Sequence, residues 1–417
     1  MSASKNIKSK LNSIEFLMLL LGLSLSTLLL GFAASGIILG VFVAFGCRYT
    51  YLNKIKPRLH KGLIIPVLLY VFAVCSFLWS VDIEQTTKGM EKMVVIFVLP
   101  IVFMFLPEIK KKQSDIVFKV LTVSNTLLGV FFICNAIYNY INTKSLMVFT
   151  YHQLVEVLEL NAIYVSLLFS MSLFYLISLQ QKRKAHYVLM GFFAMLLFLL
   201  SSKTILAVIL IGFIIYLFKM RFKNLNKRKV IIGFVMAFIL VGISSITLAE
   251  RLIFEKHSKL EEVLTQEKFG KIYYWTGSSI RLLQLRILKE QIEEEPILIK
   301  GFGLFASRDN VAKRHTEFDT YFKFHEYNYH NQYAQTLSEL GLIGLCLLLA
   351  ALVVIWSKAI NTGDYLILMF AILMTSVFFT ESILWRQRGL FLFIILYSLF
   401  LKRWLKQSPT QNLNASN

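Results

Sequence analysis

The stretch His330-Asn331-Gln332-Tyr333-Ala334-Gln335-Thr336-Leu337-Ser338-Glu339-Leu340-Gly341-Leu342-Ile343-Gly344 turns a polar loop carrying a histidine into an apolar run long enough to cross a bilayer. The residues before it are aromatic and ionisable and those after it are apolar, so the junction falls at a boundary between water and lipid. An imidazole held there can serve chemistry at a membrane surface. Gly341 and Gly344, three apart on one helix face, predict the close approach of a second helix. That contact would fix the angle at which the first turn presents His330 and Asn331.

Composition sets the class. With 57% hydrophobic and 16% charged residues over 417 positions, the chain has too little polar surface for a water-soluble globule and reads as an all-α polytopic membrane protein. The net charge of +20 is spread in short runs between apolar segments rather than gathered in a patch, which argues against nucleic acid as a partner. Cys47, Cys75, Cys134 and Cys346 lie in or beside apolar runs without metal-ligand spacing, so neither disulfide nor metal is expected from them. No GxxxxGK[ST] and no GxGxxG after a strand occurs, which argues against nucleotide-driven chemistry.

Hydropathy gives about twelve membrane helices, near 14–30, 32–46, 62–80, 93–107, 116–140, 160–178, 186–200, 204–219, 230–249, 333–356, 364–380 and 385–401. Ala33, Ala34 and Ser35 imitate a signal-peptide cleavage site. The length of the preceding run and the second apolar stretch that follows favour an uncleaved first helix. Basic residues alternate between connections, concentrating around Arg48 to Lys61, Lys110 to Lys112, Lys182 to Lys184, Lys219 to Lys229 and Lys402 to Lys406. By the positive-inside rule both termini are cytoplasmic. The expected organisation is helices 1–9 over residues 1–249, one large periplasmic loop with short helices over 250–332, helices 10–12 over 333–401 and a cytoplasmic tail over 402–417. In the loop, Ser278 or Ser279 is expected to cap a helix running to Glu294, with Ile280, Leu283, Ile287 and Ile292 on its apolar stripe. Pro296 then breaks it, and Gly301 and Gly303 form a turn.

Three basic groups stand beside apolar helices on the outward side: Lys203, Arg281 and His330. A charge at mid-membrane costs about 2.5–3.5 kcal/mol on insertion scales, and less near the surface, so each is a candidate functional residue. Arg281, near the start of its helix, adds positive charge where free N–H groups already supply it, and a bound phosphate or pyrophosphate would reconcile the two. Taken singly, Lys203 and Arg281 read more plainly as side chains snorkelling to lipid headgroups, and His330 as a capping or hydrogen-bonded residue. Arg386 and Arg388 read as topological or lipid-contacting, while His152 and Asn161 either cap a helix or line a polar cavity. His315, His325 and His330, with Glu317, Asp319 and Glu326 nearby, match no zinc spacing.

His330-Asn331, nine further residues and then Gly341-Leu342-Ile343-Gly344 resemble the signature of the bacterial O-antigen ligase and polymerase superfamily. Ser279-Ile280-Arg281 and Pro296-Ile297-Leu298-Ile299-Lys300-Gly301-Phe302-Gly303-Leu304-Phe305 resemble its loop, and Leu200-Ser201-Ser202-Lys203-Thr204 its Ser-rich outer turn. The likeness spans residues 150–400 and is most specific at 330–344. It departs at Lys203, where the family more often has Arg, and at Leu285, where it often has Trp. The resemblance implies a GT-C-like fold in the bacterial inner (cytoplasmic) membrane, with the active site facing the periplasm. It also implies metal-independent, cofactor-free, inverting transfer of a glycan from undecaprenyl pyrophosphate to a lipid A-core sugar hydroxyl. Arg281 and Lys203 would stabilise the pyrophosphate, and His330 would act as base or acceptor-positioning group. Asn331, His152, Asn161, Arg386 and Arg388 would bind substrate, with membrane lipid as a further partner. An O-antigen or exopolysaccharide polymerase has the same requirements. A non-enzymatic transporter of lipid-linked sugars would also have many helices and internal cations, but the chain shows no paired halves and its candidate groups gather on one face.

Overall fold

A computed structural model describes residues 11–219, 259–270 and 273–403, and every regular element among them is helical. In chain order the helices are α1 Ile14–Ser26, α2 Phe32–Leu52, α3 Lys61–Cys75, α4 Ile83–Met93, α5 Val95–Phe105, α6 Lys111–Thr143, α7 Tyr151–Val155 and α8 Ala162–Ser178. They continue with α9 Lys184–Leu199, α10 Lys203–Lys219, α11 Leu260–Thr265, α12 Gly277–Glu294, α13 Arg308–Glu317, α14 Gln332–Thr362, α15 Tyr365–Phe378 and α16 Gln387–Lys402. The ninth expected span, 230–249, lies outside the described residues, as do Lys5 to Lys10, Arg221 to Lys229 and the tail beyond Arg403.

Two helices without a polar face form the middle of the bundle. Every residue of α8 from Ala162 to Ile177 is buried, and so is every residue of α16 from Gly389 to Lys402. A helix apolar all round must be enclosed by others, and α16 packs against α1, α3, α5, α8 and α14. The long peripheral helices instead turn apolar side chains outward: Val123 and Leu127 of α6 and Val353 of α14 are 61%, 67% and 66% exposed. Such surfaces are suited to lipid rather than water.

Among the described residues four helical stretches are long and apolar enough to cross a membrane: 33–52, 61–78, 111–143 and 332–362. A fifth is added if Tyr151–Leu158 and Ala162–Ser178, bent by 92°, count as one. Four shorter apolar helices accompany them. The expected span at 93–107 is instead an 11-residue helix, α5, with Pro100 inside it. At 1.5 Å per residue it covers about 17 Å, too little to cross unaided. Ahead of it lies α4, an amphipathic helix capped by Asp82, whose carboxylate accepts from Gln85 N at 3.0 Å.

The loop helix α12 begins two or three residues earlier than expected. Its cap is Thr276, whose Oγ1 accepts from Ser279 N at 3.1 Å, while Thr276 N donates back to Ser279 Oγ at 2.7 Å. Ser279 is thus the reciprocal partner of the cap. The α12 face of Ile280, Leu283, Ile287 and Leu288 packs on Val263, Phe269, Val311, Phe318 and Tyr329, giving the loop an apolar core of its own. Arg286 fastens α11 to it by donating to the carbonyls of Val263 (3.0 Å) and Gln266 (2.7 Å) while lying over the Phe318 ring.

His315 is fully buried there, with Nε2 2.8 Å from the Gln284 amide nitrogen and Nδ1 3.0 Å from Thr320 Oγ1. Burial, helped by the charge of His325, pushes its pKa down from 6.5 to about 4. The unfolded chain therefore takes up this proton at a higher pH than the folded one, and stability falls as pH drops from 6.5 towards 4. The loss is expected to total about 3 kcal/mol, read from thermal unfolding at pH 7, 5.5 and 4, and His315→Gln should flatten it.

The α14 helix contains the most consequential departure from regularity. Gly341 has φ 61° and ψ −164°, so the helical ladder breaks there. The groups set free are the carbonyls of Ser338 and Glu339 and the amides of Leu342 and Ile343. All four find partners in the segment after Pro296. Phe302 N donates to Ser338 O (2.9 Å) and Gly303 N to Glu339 O (2.9 Å), while Leu342 N donates to Leu298 O (2.8 Å) and Ile343 N to Ile299 O (3.4 Å). Backbone approaches backbone so closely that a Cβ on Gly341 would lie 2.1 Å from Ile299 O, and one on Gly301 2.2 Å from the Glu339 carbonyl carbon. At Gly341 the sequence suggested a second helix; the neighbour found there is a strap over residues 296–303 that begins in consecutive turns. On its other side the strap is held by the turn after α3, where Val81 N donates to Phe302 O (3.0 Å), Trp79 Nε1 to Lys300 O (3.1 Å) and Leu304 N to Ser76 Oγ (2.9 Å).

Candidate active site

The break in α14 leaves residues 332–340 as a separate short helix that carries the site. Asn331 caps it, accepting from Ala334 N at 3.0 Å. Next to it Gln332 Oε1 accepts from Leu384 N (2.7 Å) and, one turn on, Gln335 Oε1 from Ser382 Oγ (3.3 Å), so the connection between α15 and α16 is tied to this helix. Glu339, 3% exposed, finishes the clamp by accepting from Gln335 Nε2 (2.6 Å), Trp385 Nε1 (3.0 Å) and Ser307 Oγ (3.3 Å).

That tie sets Glu381 beside His330. His330 holds a left-handed backbone, φ 46°, in which its N–H donates to Asn328 Oδ1 at 2.9 Å. Its ring stands edge-on to Tyr327, centroids 5.0 Å apart. Its Nδ1 lies 3.3 Å from Glu381 Oε2. The other carboxylate oxygen, Oε1, accepts from Arg281 Nη2 at 3.1 Å. Arg281 also donates from Nε to Thr380 O (3.0 Å) and from Nη1 to Gly277 O (2.8 Å). The first turn of α10, which starts at Lys203, abuts the same connection, with Thr204 Oγ1 3.5 Å from Thr380 Oγ1. His330 and Arg281 thus meet on one acidic connection, and the first turn of α10 borders it through Thr204.

The carboxylate is the inner member of this cluster: its side chain is 10% exposed, against 24% for His330 and 33% for Arg281. Burial alone would raise the Glu381 pKa. The hydrogen bond and charge of His330, with those of Arg281, outweigh burial and hold it below the usual carboxylate range. Glu381 is thus ionised at neutral pH.

The sequence reading weighed only cations in this connection and missed Glu381. The signal was present, since Glu381 is the one acidic residue between Tyr365 and Leu401, and a lone carboxylate in so apolar a stretch is a functional candidate by default. Its presence also changes the reading of Arg281. The helix starts four residues before Arg281, and a protein carboxylate already balances the guanidinium.

The other candidates have structural partners. Asn161 caps α8 by accepting from Ile163 N at 2.8 Å, and His152 Nδ1 accepts from Ala162 N on the same turn at 3.4 Å. Arg388 Nε donates to Leu28 O at 3.0 Å, tying α16 to the end of α1, and Arg386 lies over the Trp385 ring at 5.8 Å. Among the described residues no three His, Cys, Asp or Glu side chains come close enough to share a metal ion.

Fold and site together describe a helical membrane protein with an ionised cluster at one end of its bundle. A family model described as O-Antigen ligase matches residues 188–349, a stretch that contains Lys203, Arg281 and His330. Over that stretch the chain is similar to the O-antigen ligase and polymerase superfamily, whose members are glycosyltransferase-like ligases and polymerases. Glu381 lies beyond the matched residues. A search of curated proteins gives no match.

Proposed function

We propose that this protein is an O-antigen ligase-like glycosyltransferase that moves a glycan from undecaprenyl pyrophosphate to a lipid A-core sugar hydroxyl, without metal and with inversion. In this reading about twelve spans place both termini in the cytoplasm and the site on the periplasmic side of the inner membrane, as the alternation of basic connections suggests. The observation that carries the proposal is the bridge made by Glu381 between His330 and Arg281.

With Nδ1–H donating to the ionised carboxylate, the neutral imidazole keeps its lone pair on Nε2. From there it takes the proton of the acceptor hydroxyl as that oxygen attacks the anomeric carbon. The bond from this carbon to the pyrophosphate breaks and its electron pair leaves on the pyrophosphate. Arg281 and Lys203 meet the charge that develops there. Glu381 touches neither reactant; it positions His330 and balances the imidazolium that forms.

Purified protein incubated in detergent and EDTA with undecaprenyl-pyrophosphate glycan and lipid A-core is expected to yield glycosylated lipid A-core. Lengthening of the lipid-linked glycan in its place would make the protein a polymerase. Movement of glycan across sealed vesicles with no transfer in detergent would overturn the enzymatic reading. Arg281→Lys keeps the charge, but one ammonium cannot reach Thr380 O, Gly277 O and Glu381 together. Transfer should fall about tenfold or more, and an unchanged rate would remove the guanidinium from the mechanism.

A further inference from the structure

A second basic cavity lies at the opposite end of the bundle. The α14 helix starts at the His330 site and ends at Thr362, and α16 starts after the Glu381 connection and ends at Lys402. Between those far ends and the connections α2–α3 and α5–α6 opens a cavity of ≈ 620 Å³. Its wall carries Lys56, Arg58, His60, Lys358, Lys402 and Arg403, with Glu108 as its one carboxylate among the described residues.

Basic residues at a helix end are ordinarily solvated topology signals, and Lys56 and Arg58 are exposed in that way. Lys402 and Arg403 are not, at 6% and 2% exposed. The bridge between Ile109 and Arg403, with Ile109 N donating to Lys402 O at 2.9 Å, holds both in place. Asp364 and Asp115 stand 3.5 Å and 3.9 Å from the Arg403 guanidinium and offset its charge. Even so, Nε and Nη1 of Arg403 are buried without a hydrogen bond, and so is Nδ1 of His60. Buried polar atoms left in this way cost stability, and the wall carries more positive charge than its own carboxylates offset. The cations are also close enough to repel one another: burial, then the charges of Lys358 and Lys402, lowers the His60 pKa.

We infer that this cavity binds a phosphate-bearing anion, whose oxygens meet the Lys56, Arg58, Lys358 and Lys402 side chains on its wall and whose charge relieves the crowding of cations. A phosphodiester lipid headgroup and free inorganic phosphate offer the same chemistry. Native mass spectrometry of the full chain, loaded with phosphatidylglycerol or phosphatidylcholine with and without inorganic phosphate, separates them. If a headgroup binds, phosphatidylglycerol should be retained well above phosphatidylcholine. If free phosphate binds, phosphate adducts should form with no lipid preference. In either case Arg58→Gln with Lys402→Gln should weaken retention by about fivefold per cation removed. Lys56→Gln with Arg58→Gln, both at exposed positions, tests the same site should Lys402→Gln fail to fold. Equal retention of the two lipids with no phosphate adduct would overturn the inference, as would unchanged binding in a folded double variant.

Discussion

Glu381→Gln is expected to lower glycan transfer about 10³-fold while leaving a folded protein, because it removes one charge and almost no volume. An amide can donate as well as accept, so it no longer fixes the proton on Nδ1 of His330, and Nε2 is not held ready as the acceptor. It also leaves the Arg281 guanidinium without its counter-charge. If Glu381 acts through the imidazole, its loss and that of His330→Ala should not multiply. The double variant should transfer at close to the rate of the worse single variant, whereas independent roles would give the product of the two losses. Transfer by Glu381→Gln within about twofold of the parent would dispose of the positioning role. Steady-state rates on both substrates, with thermal unfolding as the control for folding, provide the measurement.

The second large effect is on stability. Gly341→Ala places a side chain at φ 61° and ψ −164°, a conformation essentially reserved for glycine, and puts its Cβ 2.1 Å from Ile299 O. Backbone strain of this kind costs about 1–3 kcal/mol, and displacing the strap sacrifices up to four hydrogen bonds worth about 1 kcal/mol each. A loss of about 5 kcal/mol is expected, enough to unfold much of a marginally stable chain, seen as a collapse of the monodisperse peak in size-exclusion chromatography. Gly191→Ala serves as the control: it lies inside α9, and nothing stands within 4 Å of the Cβ it would gain. If Gly341→Ala were as stable as the parent, the broken ladder would not be needed for the fold.

These two residues mark how far the sequence could be read. Lys203, Arg281 and His330 were legible because an ionisable group beside an apolar run stands out without knowledge of the fold; Arg281 and His330 both contact the connection between α15 and α16, and Thr204, next to Lys203, borders it. Glu381 was not, since its importance depends on lying beside a residue 100 positions earlier, which only tertiary structure reveals. Glycine spacing at 341 and 344 was visible, but composition alone does not distinguish a small-residue contact between helices from a helix that stops and restarts. The apolar window at 93–107 likewise concealed the boundary at Val94, although Pro100 stood in plain view within it. The cap of α12 was misplaced because Ser278, Ser279 and Thr276 are all plausible caps, and only Thr276 has the extended backbone the role requires.

The strap between Pro296 and Gly303 is fastened to α14 through main-chain atoms alone at four points. Its spelling is therefore loosely constrained, while its count of residues is not. Exchanging Leu298 for another aliphatic residue alters nothing in that lacing, but inserting a single residue would throw every fastening out of phase and swing the short helix behind His330 away from Glu381. Variation at this place in the molecule should be tolerated in kind and refused in length.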